Sequence, residues 1–372
     1  GVQAADGKPL PFYVTSFQTS KIGGSNAPSS RPATISAPPG LDPSRVHGLD
    51  HIRWNAPQAL ADVWTPSQSA IDNARWRDES SVVARAFPPL PQAEAGVTAL
   101  AGRVLRLNGE PLKEVTLKLG EATAVTDANG AFLLLGLADG FGVLEIDGSS
   151  VKGNGDRYGR YLVRAKAVPG VTTPLGYTVW MPKLDPRGTF KISSPTNEET
   201  VLSTPSVPGL ELRIPAGTVV KDREGNIVTE VNITAIPVNK PPFPLPDIDV
   251  PIYFTIQPGG AWLQNADGSR FEGAQLFYPN YKKSFPGVRS AFFNYDANDR
   301  EWYVYGEGQV SADGAQIVPD AKTRIYEFTG AMVNGNPGPP SKGPEPCNSG
   351  CCGPGGNGPP GGGGGGGGGG GS

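Results

Sequence analysis

The sequence predicts an all-β fold, with two tandem β-sandwich domains, a partly helical or irregular N-terminal segment and a Gly/Pro-rich tail. Three observations lead there. The stretch Ala101 to Gly148 is a series of short alternating runs cut by Gly-containing turns; in Lys113 to Leu119, Val115, Leu117 and Leu119 share one face while Thr116 and Lys118 share the other. That period of two is what a half-buried strand requires. The same period returns far along the chain in GLELRIPAG, EVNITAI and PIYFTIQPGG. Between such runs lie TDANGAF, DREGNIV, NADGSRF and SADGAQI, which place Asp or Asn ahead of Gly, three of them as a direct Asn-Gly or Asp-Gly pair. Those pairs tolerate the positive φ that tight hairpin turns demand.

Residues 1–40 are rich in Ser, Pro, Gly and Ala, with too few apolar positions to build a core, and are expected to be a linker or the edge of a preceding domain. Residues 41–92 differ in bringing Trp54, Trp64 and Trp76, and here a helix is expected from about Ser67 to Ala86, although Ile71, Ala74, Arg75 and Val82 make only a thin stripe. The PPLP run at Pro88 to Pro91 closes this segment as a stiff spacer. The first sandwich is assigned to 93–186, where RYLVRAKAV puts Tyr161, Val163, Ala165 and Ala167 on one face and GYTVWMPKL supplies a final strand. The second β-domain is assigned to 190–333. Leu210, Leu212 and Ile214, then Val231, Ile233 and Ala235, then Ile252, Phe254 and Ile256 would form one wall of its core. Between them PVNKPPFPLPDIDVP carries six prolines, which remove backbone donors and call for an extended crossing instead of a ladder strand. SAFFNYD, EWYVYGEG and RIYEFTG complete the domain. The tail, 334–372, has almost nothing to bury and is expected to be disordered.

Composition narrows the function. Gly and Pro together make up roughly one-quarter of the 372 residues, above ordinary globular usage, so they must concentrate in linkers and turns. The formal net charge of −3 comes from 32 basic and 35 acidic residues in no long blocks, so no nucleic-acid partner is expected. No run approaches the length of a membrane span, and the opening GVQAADGKPLPFYV lacks the charged and apolar regions of a signal peptide, as an internal fragment would. All three cysteines, Cys347, Cys351 and Cys352, sit in the tail, so the β-domains cannot rely on disulfides. Low lysine with abundant Thr, Gly, Asn and aromatics fits a secreted bacterial β-protein.

Reactive side chains are scarce. His47 and His51 are the only histidines, in an H-x3-H spacing that suits zinc on a helix, but Gly48 weakens that helix and no Glu lies between them, so a loop or capping role is favoured. The four Asp/Asn-Gly turns lack the full spacing of a calcium loop, and Asp296, Asn298, Asp299 and Glu301 are read as a turn as well. Asp247 and Asp249 sit in the proline-rich crossing, where a glycosidase would need carboxyls held rigidly across a cleft. Asn232-Ile233-Thr234 is a glycosylation sequon placed mid-strand. The tail's C-x3-C-C matches no complete metal site. No catalytic residue, cofactor or metal ligand is therefore assigned. Trp302, Tyr303 and Tyr305, with Trp262, Tyr278 and Tyr281 nearby, are the one candidate ligand surface, since flat aromatic faces can stack on sugars, although alternate aromatic positions usually belong to a core.

Two resemblances follow from the residues. Ala101 to Gly148, with its G-x-V, the turn Asn108 to Leu112, V-T-L-x-L, T-D-A-N-G-x-F and L-x-x-G, resembles the carboxypeptidase-regulatory-like, transthyretin-like sandwich. Pro208 to Val333, through PGLELRIPAGTVVKDREGN, PPFPLP, PIYFTIQPGGAWL, FFNYDANDREWYVYGEGQVSADGAQIVPD and RIYEFTGAM, resembles the segment ahead of the repeats in bacterial rearrangement-hotspot (Rhs) or YD-repeat proteins, its beginning being similar to the ZU5 β-fold. Together they cover about 230 of the 372 residues. The resemblance implies an exported polymorphic-toxin protein whose repeats form a hollow shell, with this region anchoring, plugging or adhering. The chain departs from that pattern in carrying no YD repeat and no toxin, and the self-cleavage of some ZU5 relatives is not implied, because no histidine follows His51.

The expectation is a non-catalytic structural or presentation module, secreted or at a bacterial cell surface. Its partner would be the repeat portion of the same polypeptide, with a cell-surface glycan or protein as a further candidate and no membrane span. The alternative is a carbohydrate-binding or adhesin module using Trp302, Tyr303 and Tyr305. A metal-dependent enzyme on His47 and His51 is the third.

Overall fold

A computed structural model of the chain describes residues 63–80, 86–152, 155–246, 248–268 and 273–329, with the backbone of 332–335. His47, His51, Trp54, Asp247, the cysteines and the tail lie outside the described residues. Among the described residues the chain is mostly β, with several antiparallel sheets and one short α-helix.

That helix, α1 (Gln68–Asp72), corrects the longer one expected from Ser67 to Ala86. Ser67 caps its start by accepting the Ala70 N–H at 3.1 Å, but at Ala74 the backbone turns left-handed, with φ 50°, and residues 75–79 run without helix. The thin apolar stripe could not compete with tertiary burial. Trp76, on no helical face, is instead inserted into the core.

Eight strands build the first region: β1 (Ala99–Arg106), β2 (Thr116–Leu119), β3 (Ala122–Val125), β4 (Ala131–Leu135), β5 (Gly140–Asp147), β6 (Arg160–Ala167), β7 (Thr172–Pro174) and β8 (Val179–Met181). One sheet runs β4-β1-β7, with β8 also on β1; the other runs β3-β2-β5-β6. β1 pairs antiparallel with β4 but parallel with β7 and β8, an arrangement that the local pattern does not announce. Leu100, Val104 and Leu134 of the first sheet share a buried core with Leu117, Leu144, Ile146 and Val163 of the second. β2 shows the expected alternation, with Leu117 and Leu119 buried and Lys118 exposed. Complete burial of a leucine such as Leu117 stabilises by ~1.5–3 kcal/mol. The proline spacer docks on this region, where Arg103 donates to the Pro88 carbonyl at 2.7 Å and lies 4.5 Å from the centre of the Phe87 ring.

The second region begins with β9 (Thr189–Lys191), β10 (Thr200–Leu202), β11 (Glu211–Ile214), β12 (Thr218–Lys221), β13 (Glu230–Ala235) and β14 (Tyr253–Gln257). It continues with β15 (Ala261–Asn265), β16 (Gln275–Pro279), β17 (Arg289–Asp296), β18 (Glu301–Val310), β19 (Gln316–Pro319), β20 (Glu327–Phe328) and β21 (Met332–Gly335). Ten strands form one ladder, β10-β11-β16-β19-β18-β17-β21-β14-β13-β9, and β12-β15-β20 form a small sheet. Between β13 and β14 the proline-rich crossing forms no strand, and its Phe243 is fully buried. The Asp-Gly and Asn-Gly turns are built as their composition requires. Asp127 accepts the N–H groups of Asn129 and Ala131, and Gly130 and Gly314 take φ of 69° and 73°.

Both regions fall within one compact unit. Their buried side chains belong to a single continuous core. Among the described residues no helix is long and apolar enough to cross a membrane.

Candidate functional site

The aromatic residues of β18 divide between two sets of neighbours. Trp302 donates its indole N–H to the Pro244 carbonyl at 2.8 Å and packs 5.9 Å from Phe243, 5.5 Å from Tyr295 and 6.4 Å from Tyr253. Tyr305 packs on Phe292, and its hydroxyl meets that of Tyr278 at 3.4 Å. Trp302 and Tyr305 are three positions apart, so strand alternation alone sets them on opposite faces, and the register also shifts between Phe292 and Phe293, leaving Tyr305 an extra residue in β18. Tyr303 lies half-buried with the Arg300 guanidinium 5.3 Å from its ring centre. Burial raises the pKa of all three neighbouring phenols, Tyr303, Tyr305 and Tyr278. Trp302, Tyr303 and Tyr305 thus share a strand but not a face. Of the companions, Tyr278 is buried, Tyr281 lies beneath Trp76 and Trp262 is half-buried on β15.

The other candidate surfaces are bonded locally. Asp296 accepts the N–H groups of Asn298 at 2.9 Å and Asp299 at 3.4 Å, while Asp249 pairs with Lys282 at 2.5 Å. Among the described residues no three His, Cys, Asp or Glu side chains gather as a metal would need.

The most elaborate polar construction in the described chain is the seam between the two regions, which the sequence did not single out. β13 and β14 pair with Asn232 opposite Gln257 and Thr234 opposite Thr255. On one face Ile233, Ala235, Phe254 and Ile256 fill the second region's core, as their spacing predicts. The other face holds Asn232, Thr234, Tyr253, Thr255 and Gln257, and it too is buried. The first region and its connector cover it. Gln257 accepts the Arg160 N–H at 2.9 Å and returns a bond to the Arg160 carbonyl at 3.1 Å, so that one amide mimics a strand partner for β6. It also accepts from the Gly259 N–H and donates to Thr255 Oγ1. Asn232 donates to the Asp185 carbonyl and Thr189 Oγ1, and the Asp185 N–H donates to Thr234 Oγ1, each at 2.8 Å. Buried polar groups are costly unless bonded, and Asn232, Thr234 and Gln257 are bonded across the seam, whereas the buried Tyr253 hydroxyl has no hydrogen-bond partner among the described residues. The sequon asparagine is one of these buried partners. Gly159 and Gly259 are required by the close approach, since a Cβ on either would come within 2.7 Å of Gln257 or 2.1 Å of the Arg160 carbonyl oxygen.

Above this seam Tyr161, Phe243, Tyr295 and Trp302 form one aromatic cluster, with Tyr161 6.5 Å from Phe243 and Phe243 4.5 Å from Tyr295. The Tyr295 hydroxyl accepts the Arg164 N–H at 3.0 Å, a further tie to β6. Charge reinforces the contact: Arg160 lies 2.7 Å from Glu224 in the second region and 3.2 and 3.4 Å from Glu145 and Asp147 in the first. Burial pulls the Arg160 pKa down, but these three carboxylates outweigh it and hold it above the usual value. Arg223 approaches Glu145 at 3.7 Å from the same turn as Glu224. Nearby on β20, burial pushes Glu327 up to about 7, with Asp296 adding to the rise and Arg223 opposing it.

A third component enters from the segment before the sandwiches. Lys240, in the crossing, joins all three parts through Asp78 at 2.6 Å, the Leu107 carbonyl of the first region at 2.8 Å and the Trp180 ring 5.8 Å away. Burial raises the Asp78 carboxyl, yet the bonds from Lys240 and Ser80 outweigh it and leave its pKa below the usual carboxylate value.

No family model matches the chain. No curated relative matches it either. Among solved structures it has a distant similarity to the Bacillus anthracis TIE protein, with 13% identity over 60% of this chain and 44% of that one and a TM-score of 0.21. This chain therefore spans less than half of that protein's length, and the likeness is one of β-rich, multi-sheet character alone.

Proposed function

We propose that the chain is a non-catalytic structural and presentation unit, the region ahead of the repeats in an exported bacterial protein of the Rhs or YD-repeat kind. In that role it acts outside the cell and holds the repeat portion in place, as an anchor or plug. The single observation that supports a structural role is the Gln257 seam, where a buried side-chain amide replaces a backbone partner for β6 and makes two sandwiches one body. A body whose buried polar groups are spent on internal coupling is suited to fixing the position of whatever is joined to it.

The test is assembly in trans with a YD-repeat shell polypeptide lacking its own pre-repeat region. Co-purification as a defined complex is expected. A shell that closes and stays monodisperse without binding this chain would overturn the proposal. A glycan array should be blank; binding lost on Tyr303→Ala would instead favour the carbohydrate-binding alternative.

A further inference from the structure

The segment that leads into the two regions and the strand that leads out of them end on the same residue. Upstream, Trp76 donates its indole N–H to the Tyr253 carbonyl at 2.9 Å, at the start of β14. Its ring stacks on Tyr281 at 5.6 Å and 24°, and Trp64 closes against it edge-on at 5.7 Å and 73°. The Trp76 carbonyl accepts the Val238 N–H at 2.8 Å. Two residues on, Asp78 and Lys240 form an ion pair whose side chains are 9% and 5% exposed. The Asn239 amide grips the Asp78 backbone on both sides, accepting its N–H at 3.0 Å and donating to its carbonyl at 2.9 Å. Downstream, β21 lies inside the ten-stranded ladder, between β14 and β17, with Val333 opposite Tyr253 and Met332 opposite Phe254.

Along the chain, Trp76 and Val333 are separated by all of the first region and every strand of the second before β21. In space, one β14 residue joins them. We infer that the unit is a force-bearing coupling, in which tension along the chain passes from the Trp76 clasp across β14 to β21 and leaves the first region, β1 to β8, out of the line of load. The inference deepens the structural role proposed above and rests on it.

A pull on the upstream segment has two parallel paths through the molecule. Without the clasp, a pull on the upstream segment reaches β1 through residues 86–98, and the first region stands in series with the load. With the clasp closed, the shorter path through Tyr253 carries it. At the far end β21 must move against two antiparallel neighbours at once, whereas an edge strand can be peeled from one. Resistance to force is set by the rate of unfolding and not by equilibrium stability, so the order in which contacts are loaded decides what survives.

Single-molecule force spectroscopy on the full chain, pulled from its two ends, tests this. In the wild type, the extension belonging to the first region should be released only after a separate clasp event. In Trp76→Ala that release should come first, with the first region's unfolding rate at constant force raised at least tenfold. A control pulled from within the first region, at Ala93 and Asp185, should give equal rates in both proteins, which separates a changed load path from general destabilisation. Asp78→Asn loosens the clasp without opening the core and should raise the end-to-end rate about threefold, so the test survives if Trp76→Ala does not fold. Equal end-to-end rates in the wild type and Asp78→Asn, or first-region release at the lowest forces in the wild type, would overturn the load path. Failure to bind a repeat shell would leave this measurement unaffected.

Discussion

β2 and β14 are short strands with similar apolar and polar alternation, and they meet different fates. In β2 the polar alternate Lys118 is exposed, and the strand serves one core. In β14 every residue from Tyr253 to Gln257 is buried, because the face carrying Thr255 and Gln257 is covered by the first region. A period of two states which side chains share a face; whether the second face meets water or another part of the chain depends on long-range packing. What marks β14 as different is Gln257, whose amide bonds Arg160 of the neighbouring region as well as Thr255 and Gly259 beside it.

The largest effect should come from reversing the simpler strand. Leu117→Asp places an unpaired charge where Leu117 is fully buried between the two first-region sheets, and should cost more than about 4 kcal/mol, enough to unfold that region. Thermal melting checks it, and a wild-type curve would show that Leu117 does not face the core. Next is the covered strand: Gln257→Ala leaves the Arg160 N–H and carbonyl and the Gly259 N–H without their partner. The expected cost is about 3 kcal/mol, from ~1–3 kcal/mol per stranded buried group. Chemical denaturation should then show two transitions where the wild type shows one. A single unshifted transition would mean that the regions are not coupled through this amide.

The contrast also explains what could be read in advance. Strands whose second face is solvated, such as β2 and the Glu211–Ile214 strand, carry their full description in local order, and so do the Gly turns and the proline crossing. Asn232, Thr234 and Gln257 look like surface residues, because nothing within EVNITAI or PIYFTIQ says that Asp185 and Arg160 will arrive to bond them. The parallel pairing of β1 with β7 and β8 and the insertion of β21 between β14 and β17 depend on partners far away in sequence. Trp76 had a weak signal, as one of three tryptophans in a segment otherwise poor in core residues, but the helical stripe drew attention to the wrong register. The aromatic run of β18 was legible as a strand whose alternation parts Trp302 from Tyr305; the one-residue bulge at Tyr305 was not.

A pH experiment sharpens the comparison beside the seam. Glu327 has a folded pKa of about 7 against an ordinary 4.5, so the folded chain holds a proton that the unfolded chain has released between those values. Stability from this group is therefore complete below about pH 4.5, falls as pH rises toward 7 and is level above. Glu327→Gln should remove that slope and, at pH 8, stabilise the protein by on the order of 2 kcal/mol. Denaturant midpoints across pH 4 to 8 measure it. A slope unchanged in the variant would move its origin away from Glu327.

The smallest effects test the covered and uncovered polar alternates directly. Thr234 in β13 and Lys118 in β2 occupy equivalent places in an alternating pattern, and a rule based on pattern alone assigns both to the surface. Lys118→Ala removes an exposed side chain opposite Glu145, whose carboxylate is already held by Arg160 at 3.2 Å, so the change should stay within about 0.5 kcal/mol. Thr234→Val keeps the shape of the side chain but removes the hydroxyl that accepts from the Asp185 N–H and donates to Asn232 Oδ1, and should cost about 1–2 kcal/mol. Paired denaturation curves decide the matter by the difference between the two variants. If Thr234→Val is as silent as Lys118→Ala, the polar face of β13 is tolerated in the seam without holding it, and the coupling of the two regions would rest on the contacts elsewhere, Gln257 and Glu224 with Arg160 and Tyr295 with Arg164.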